Sequence, residues 1–481
     1  MGAPVRVDEL HYLDAASALR LFRSRELSPV ELMGSLIART EAVNGAVNAL
    51  TETLFEDALA AARLAEARYA RAEDDGGAPT GALLGLPVAT KEKHALAGRT
   101  LEQGLGAHRG RTAAADHPVV ERIRAAGGIV HARTTSPEFS CATVTHSPMW
   151  GVTRNPWNLE CSPGGSSGGA GAALAAGLAP LATGSDIAGS TRIPAGFTGT
   201  VGYKAPYGRI PGAPPLSADW YRGDGPMART VADTALLANV MSGPHAADHF
   251  TVPAGAPIAL EHAPVAGLRI ALSTTLGDYP VDAAVEANTR AVAEALRAAG
   301  ADVVEVGLPW TTDRIRETIF THFGHILGPA MAAETGGSVE PVAAYTARFI
   351  GDAAAAAARN TLAEGLAMDA RIQAELAAAM EGFDALLCPT SAVASLDADG
   401  DYLDGIDAGS RRLGHYWEAH MTSPFNVANR CPVLAVPSGL AANGVPTGVQ
   451  VVGHPFAENM VFRVGAAIES LMPWAGRRPA L

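Results

Sequence analysis

The chain has 481 residues, 48% of them hydrophobic and 18% charged, with 49 acidic against 36 basic side chains and a formal net charge of −13. That apolar content can fill a large buried core and excludes a disordered chain. The negative balance argues against nucleic acid or an anionic membrane surface as the main partner, because both require a positive field.

The N-terminal part reads as helical. Ser28-Pro29-Val30-Glu31 offers an N-cap, a proline at the first helical position and a capping-box glutamate for a helix over 28–43. A second helix follows over 55–71, then a small loop at 76–79 and a strand ending at Lys91. A helix over 117–127, closed by Gly127-Gly128, precedes a short strand over 129–133. The Ala- and Gly-rich run 167–177 makes a helix thin enough to pack tightly on a sheet, and 178–183 a buried strand that delivers the chain to Ser190. Helices are expected over 231–241, 281–299 and 458–471, with Ala-rich helices within 342–380. Strands are expected over 268–272, 302–306, 384–388, 433–436 and 449–452. The Pro-rich stretch 210–215 and the polar segment 397–410 read as loops, neither of them an interdomain linker. Such alternation predicts an α/β fold with helices on both faces of a sheet.

Four cysteines, Cys141, Cys161, Cys388 and Cys431, show no CxxC pair and no zinc-ligand spacing, and read as free buried thiols of a reducing compartment. Residues 1–14 lack a basic n-region and an apolar h-region, and Arg6 stands where myristoylation would need Ser or Thr. The longest apolar stretches are broken by charges, so a cytoplasmic protein with no membrane span is expected.

Lysine usage is a sharper clue. Only Lys91, Lys93 and Lys204 occur, beside 33 arginines. Arginine keeps its proton in a protein, whereas a desolvated lysine can lose it. Lys91, ending the apolar run 84–90, is therefore a candidate base, while Lys93 reads as a chance loop lysine. Ser166 lies 75 positions after Lys91 in Gly164-Gly165-Ser166-Ser167-Gly168-Gly169, and Ser190 a further 24 positions on, closing Gly184-Ser185-Asp186-Ile187-Ala188-Gly189-Ser190. Hydroxyls among glycines can act as nucleophiles with bare backbone N–H groups beside them to hold an oxyanion.

Other motifs carry less. Gly164-Gly165-Ser166-Ser167-Gly168 also fits G-x-S-x-G, but a nucleophile elbow should follow a strand, and residues 154–158 are loop-like. His245 and His249 are spaced i, i+4 without an HExxH glutamate and read as a surface pair rather than a metal site. No P-loop or dinucleotide fingerprint stands between a strand and a helix.

Lys91, residues 164–169 and residues 184–192 together resemble the signature of the amidase signature family of serine hydrolases. The likeness extends through Gly85-Leu86-Pro87-Val88, Pro137-Glu138-Phe139, Asn155-Pro156-Trp157, Ile193-Pro194-Ala195, Cys388-Pro389-Thr390 and Pro446-Thr447-Gly448-Val449-Gln450. The resemblance implies a single large mixed sheet covered by helices on both faces, in one domain over 1–481. Within it, 1–72 would form a helical part, 80–210 the catalytic core and 211–481 the remaining sheet and covering helices. It implies that Ser190 is the nucleophile, that Ser166 follows a cis peptide bond and bridges, and that Lys91 draws the proton through Ser166. The N–H groups of Ile187, Ala188, Gly189 and Ser190 would line the oxyanion hole, and Ser140 and Cys141 would lie in the substrate wall. Ser167 is expected at a helix N-terminus, and Asp186 and Arg192 as supports of the loops. This chain departs from the family at Ala188 (usually Gly), at Glu92 (commonly Asp) and at Tyr203-Lys204-Ala205-Pro206, which bears on substrate preference.

The expected function is hydrolysis of C–N bonds in small neutral amides or carbamates, aryl amides and urethanes foremost, through an acyl-enzyme and with no metal or cofactor. A homodimer is compatible with this reading. The alternatives are the amidase subunit of a tRNA-dependent amidotransferase, an α/β-hydrolase-type esterase, and a non-catalytic binding protein that retains the fold.

Overall fold

The computed structural model describes residues 7–74, 81–336 and 341–481; the loop expected at 76–79 lies outside them. Eleven strands share one sheet: β1 (Leu50–Thr53), β2 (Pro87–Lys91), β3 (Ile129–Thr134), β4 (Leu181–Asp186), β5 (Val201–Lys204), β6 (Gly223–Ala228), β7 (Arg269–Leu272), β8 (Asp302–Glu305), β9 (Ala385–Pro389), β10 (Val433–Leu440) and β11 (Pro446–Gly453). Their order across the sheet is β1-β3-β2-β4-β6-β5-β10-β11-β9-β7-β8. Pairing is parallel for β2 with β3 and β4, and for β7 with β8 and β9. It is antiparallel through the middle, so the sheet is mixed.

Side-chain alternation shows how the sheet is buried. Ala385 and Leu387 of β9 join one apolar cluster with Leu434, Phe462 and Val292. Leu386, between them, joins the opposite cluster with Phe323, Phe349 and Trp417. Successive strand residues point to opposite faces, so a strand contributing to both clusters is covered on both sides. This is the two-faced α/β layering that the sequence predicts.

Local chemistry explains most element ends. Ser28 Oγ accepts from the Glu31 amide at 3.1 Å and Glu31 accepts from the Ser28 amide at 2.7 Å, so the capping box forms as read. Its helix, Pro29–Val47, outruns the expected end and stops where Asn48 turns left-handed at φ 53°. Strand β4 runs three residues later than expected. The chain is still turning after Gly177, and Gly184 joins the strand because its missing side chain leaves room for Ser167. The helices Arg192–Thr198, Thr312–His325 and Leu327–Thr335 and the strands β5 and β6 were not expected. The first contains Pro194 and Gly196, and β6 reads Gly-Asp-Gly-Pro; tertiary burial overrides such weak propensities. The polar segment at 397–410 enters a small hairpin, Ile406–Ala408 with Arg411–Leu413, whereas 210–215 stays irregular.

The arrangement around Lys91 follows from β2 and β4 being parallel neighbours. Their C-terminal ends, Lys91 and Asp186, emerge at the same edge of the sheet, where α/β folds form crevices. The helix Gly168–Ala175 is wholly buried against Ala89, Ala182 and Ala435 and brings Ser166 to that edge. A side chain at Gly169 would meet the Thr135 amide nitrogen at 2.5 Å, so only glycine allows this approach.

Candidate active site

Lys91 is fully buried at the end of β2, its amide donating to Thr183 Oγ1 at 3.0 Å. Its Nζ lies 2.7 Å from Ser166 Oγ, 3.1 Å from Ser167 Oγ and 3.2 Å from Ser185 Oγ. Among the described residues the amine's hydrogen-bond partners are these three hydroxyls and no carboxylate. Burial, followed by the charge of Lys93, holds its pKa well below the ordinary lysine value, because a cation here would be desolvated. A neutral amine can accept a proton from Ser166.

Ser166 follows a cis peptide bond from Gly165. A side chain at Gly165 would meet Ala142 O at 2.5 Å, which explains the glycine. No strand precedes this turn, so it is not built as a nucleophile elbow. Ser167 stands at the N-terminus of the helix Gly168–Ala175, as expected, but makes no capping hydrogen bond; its hydroxyl contacts Lys91 and accepts from the Ser185 amide at 3.2 Å.

The loop after β4 carries Ser190. Asp186 accepts from the amides of Gly189 at 2.8 Å and Thr191 at 3.2 Å, and pairs with Arg192 at 2.9 Å. Burial alone would raise the Asp186 pKa, but the Arg192 charge and hydrogen bonds outweigh it and hold the carboxyl at about 2. Arg192 also donates to Thr422 O, Gln450 Oε1 and Asn426 Oδ1, tying the loop to the far half of the sheet. Both residues thus support the loop. Of the amides expected at the oxyanion hole, that of Gly189 is engaged by Asp186. Those of Ile187, Ala188 and Ser190 make no hydrogen bond among the described residues. Ser190 Oγ likewise makes no side-chain hydrogen bond there and faces the cleft beside Ser166.

The cleft is lined by Ser166, Ser185, Ile187 and Ser190 together with Phe139, Leu327, Phe349 and Trp417. Ser140 and Cys141, expected in the substrate wall, line it too. Phe139 and Ser140 are both left-handed, with φ of 50° and 59°. Glu138 holds this turn, its carboxylate accepting from the Ala343 amide at 2.9 Å and the Thr346 hydroxyl at 2.7 Å. Burial pushes the Cys141 thiol up to about 12, so it is an inert wall residue rather than a nucleophile.

Lys93 stands in the turn after β2, as its sequence context suggests, but it is not a chance surface lysine. It and Arg222 also line the cleft. Beneath them His94 links Thr183 Oγ1, 2.8 Å from its Nδ1, to Asp224 Oδ1, 2.9 Å from its Nε2. His117 Nε2 lies 3.4 Å from the other Asp224 oxygen and its Nδ1 accepts from the Val119 amide. The ligand atoms of His94, His117 and Asp224 lie within 4.8 Å of one another, the spacing of a metal site. Each is already held by hydrogen bonds, and the cluster braces β2, β4 and β6 beneath Lys91. His245 pairs with Glu121 at 2.9 Å, and His249 is exposed, so those histidines do not converge on a metal. Glu92, the departure beside Lys91, accepts from the amides of Glu102 at 2.6 Å and Gln103 at 3.0 Å and secures the following loop. The third lysine, Lys204, donates to Asn429 Oδ1 and Cys431 O away from the cleft.

A family model described as Amidase matches residues 31–462. The 6-aminohexanoate-cyclic-dimer hydrolase of Paenarthrobacter ureafaciens is 33% identical over 97% of this chain and 96% of its own length. An acylamidase of Rhodococcus erythropolis is 32% identical, covering 98% of each chain. A glutamyl-tRNA(Gln) amidotransferase subunit of Chloroflexus aggregans is 31% identical over 98% of this chain and 99% of its own. Among solved structures, a bacterial aryl acylamidase of the amidase signature family superposes with a TM-score of 0.88 at 26% identity, covering 97% of this chain and 99% of that one.

Proposed function

The chain belongs to the amidase signature family and is an amidase acting on C–N bonds, and from that premise we propose that it hydrolyses small aryl amides or carbamates through Lys91, Ser166 and Ser190. Ser190 attacks the carbonyl carbon, its proton passes to Ser166 and that of Ser166 to Lys91. The tetrahedral oxyanion is held by the unengaged backbone amides of Ile187 and Ala188, while that of Gly189 stays with Asp186. Collapse expels the amine, which takes the proton back through Ser166, and water then releases the acyl group from Ser190. The observation that carries this reading is a carboxylate-free, buried Lys91 amine 2.7 Å from Ser166, in the cleft that also holds Ser190. Ser166 and Ser190 line the same cleft, and a bound substrate would bring the hydrogen bond between them into place. The aromatic wall of Phe139, Phe349 and Trp417 suits an aryl substituent.

The test is hydrolysis of an anilide and an N-aryl carbamate by wild type and by Lys91→Ala, Ser166→Ala and Ser190→Ala. Each variant should lose on the order of 10³-fold or more in kcat. Because only neutral Lys91 accepts a proton, the rate should fall as pH drops through its lowered pKa, giving an acid limb well below the ordinary lysine range. Near-wild-type rates for Lys91→Ala at neutral pH would overturn the relay. The carbamate-to-anilide rate ratio assigns the preferred bond. An amidotransferase subunit, to which relatives of similar identity belong, would instead release ammonia from glutamine only with its partner chains.

A further inference from the structure

Two cations in the cleft play no part in the relay. Lys93 and Arg222 line it together with Ser166 and Ser190. Neither has an ion pair or a side-chain hydrogen bond among the described residues, and Arg222 Nε is buried with no acceptor. The nearby carboxylates are committed elsewhere. Asp224 is held by His94 at 2.9 Å and His117 at 3.4 Å, and Asp186 by Arg192 at 2.9 Å. Asp219 accepts from His322 at 2.7 Å and from the Tyr221 amide at 3.0 Å; its remaining oxygen takes no hydrogen bond yet pairs with neither cation. Burial, followed by the charge of Arg222, lowers the Lys93 pKa to about 7, with the charges of Asp224 and Asp219 offsetting part of it.

A buried donor without an acceptor is costly, and at the wall of a cleft a ligand atom can satisfy the Arg222 Nε. A guanidinium beside an ammonium suits a carboxylate, with the planar fork orienting it and the point charge adding attraction. We infer that Lys93 and Arg222 form an anion subsite, and that this enzyme takes amides or carbamates carrying a carboxylate away from the scissile bond. The inference rests on the amidase reading above and narrows the neutral substrate expected from sequence. The scissile group itself stays neutral, and the aryl-binding wall is unaffected.

Two matched pairs test it, because the carboxylate could sit on either side of the bond. One is 4-acetamidobenzoate against acetanilide, the other 4-anilino-4-oxobutanoate against butyranilide. In wild type the charged member of one pair should exceed its neutral partner at least tenfold in kcat/KM, identifying the side. That ratio should fall to within twofold of unity in Arg222→Met and in Lys93→Met, and recover in part in Arg222→Lys. Because the readout is a ratio, a general loss of rate does not mimic it, and thermal melts confirm that the variants are folded. Calorimetric binding of the same four compounds to Ser190→Ala reads the subsite without turnover, and the charged member should bind more tightly by a similar factor. If neutral anilides are cleaved but neither charged compound is preferred in rate or binding, the subsite is overturned and the amidase reading stands. If no anilide is cleaved but a charged compound binds in an Arg222-dependent way, the substrate reading fails and the subsite stands.

Discussion

Gly189 shows how tightly single positions are set around the nucleophile. Its φ of +123° is one that side chains rarely adopt, and an added Cβ would sit 1.9 Å from Thr422 Oγ1. Thr422 Oγ1 in turn donates to Ala188 O at 2.6 Å, so it cannot move aside without releasing the loop. Strained backbone of this kind costs about 1–3 kcal/mol. Gly189→Ala should therefore lower kcat/KM by roughly 10- to 100-fold, the rate equivalent of that strain. The measurement is steady-state kinetics alongside a melting curve, and an unchanged kcat/KM would show that the loop tolerates a methyl here. The neighbouring Ala188 already carries the methyl that departs from the family pattern, and its amide keeps no hydrogen-bond partner among the described residues. A side chain is refused at 189 because it would run into Thr422.

At the scale of elements, three helices meet over buried acids. Asp233, on the helix Val231–Met241, accepts from the amides of Ala15 at 2.9 Å and Ala16 at 3.0 Å at the start of the helix Ala15–Ser24. Glu469, on the helix Glu458–Leu471, accepts from the Val231 amide at 3.1 Å. Burial, with the charge of Asp14, raises the Asp233 pKa to about 6. Burial, with the charge of Asp233, raises that of Glu469 to about 7. Both acids bind protons more tightly folded than unfolded, so their contribution to stability is fullest below about pH 4 and declines as pH rises towards 7. Glu469→Gln keeps an acceptor for Val231 and removes one titration. Its denaturation midpoint should therefore vary less than wild type between pH 5 and 8, on the order of the pH range set by Glu469 itself. Identical pH dependence of the two proteins, followed by urea melts, would show that this junction does not titrate with folding.

For the whole molecule, the cysteines report on cooperative burial. Cys141, Cys161, Cys388 and Cys431 are all free and buried, on different segments of the sheet and its covering layer. Burial raises the pKa of each, and the thiol rather than the reactive thiolate is the resident form. A thiol reagent should label none of them within minutes in the native state and all four after guanidinium unfolding, which a colorimetric thiol assay counts. Rapid labelling of one thiol in the native protein would reveal local opening of its segment. Among the described residues no helix is long and apolar enough to cross a membrane.

Sequence legibility divided along the same scales. Lys91, Ser166 and Ser190 stood out because their chemistry is written locally: one of only three lysines beside 33 arginines, and serines flanked by glycines that permit close approach. The helices Val231–Met241 and Glu458–Leu471 were readable to the residue, and the two-faced sheet from strand and helix alternation. Strands β5 and β6 left no such trace, since a buried central strand needs no alternation and β6 is built from Gly, Asp and Pro. Lys93 and Arg222, 129 positions apart by their numbering, meet only because β2, β4 and β6 lie side by side, and the same pairing sets Asp224 beneath Lys91. By itself, then, the sequence determined the fold class and the three residues offered for the relay, because those rest on local propensity and residue chemistry. The tertiary structure alone decided which amides beside Ser190 stay without a hydrogen bond, why Lys91 can be neutral, and that two cations without a partner among the described residues share the cleft. Those are properties of distance and desolvation, and strand pairing over more than a hundred residues creates them.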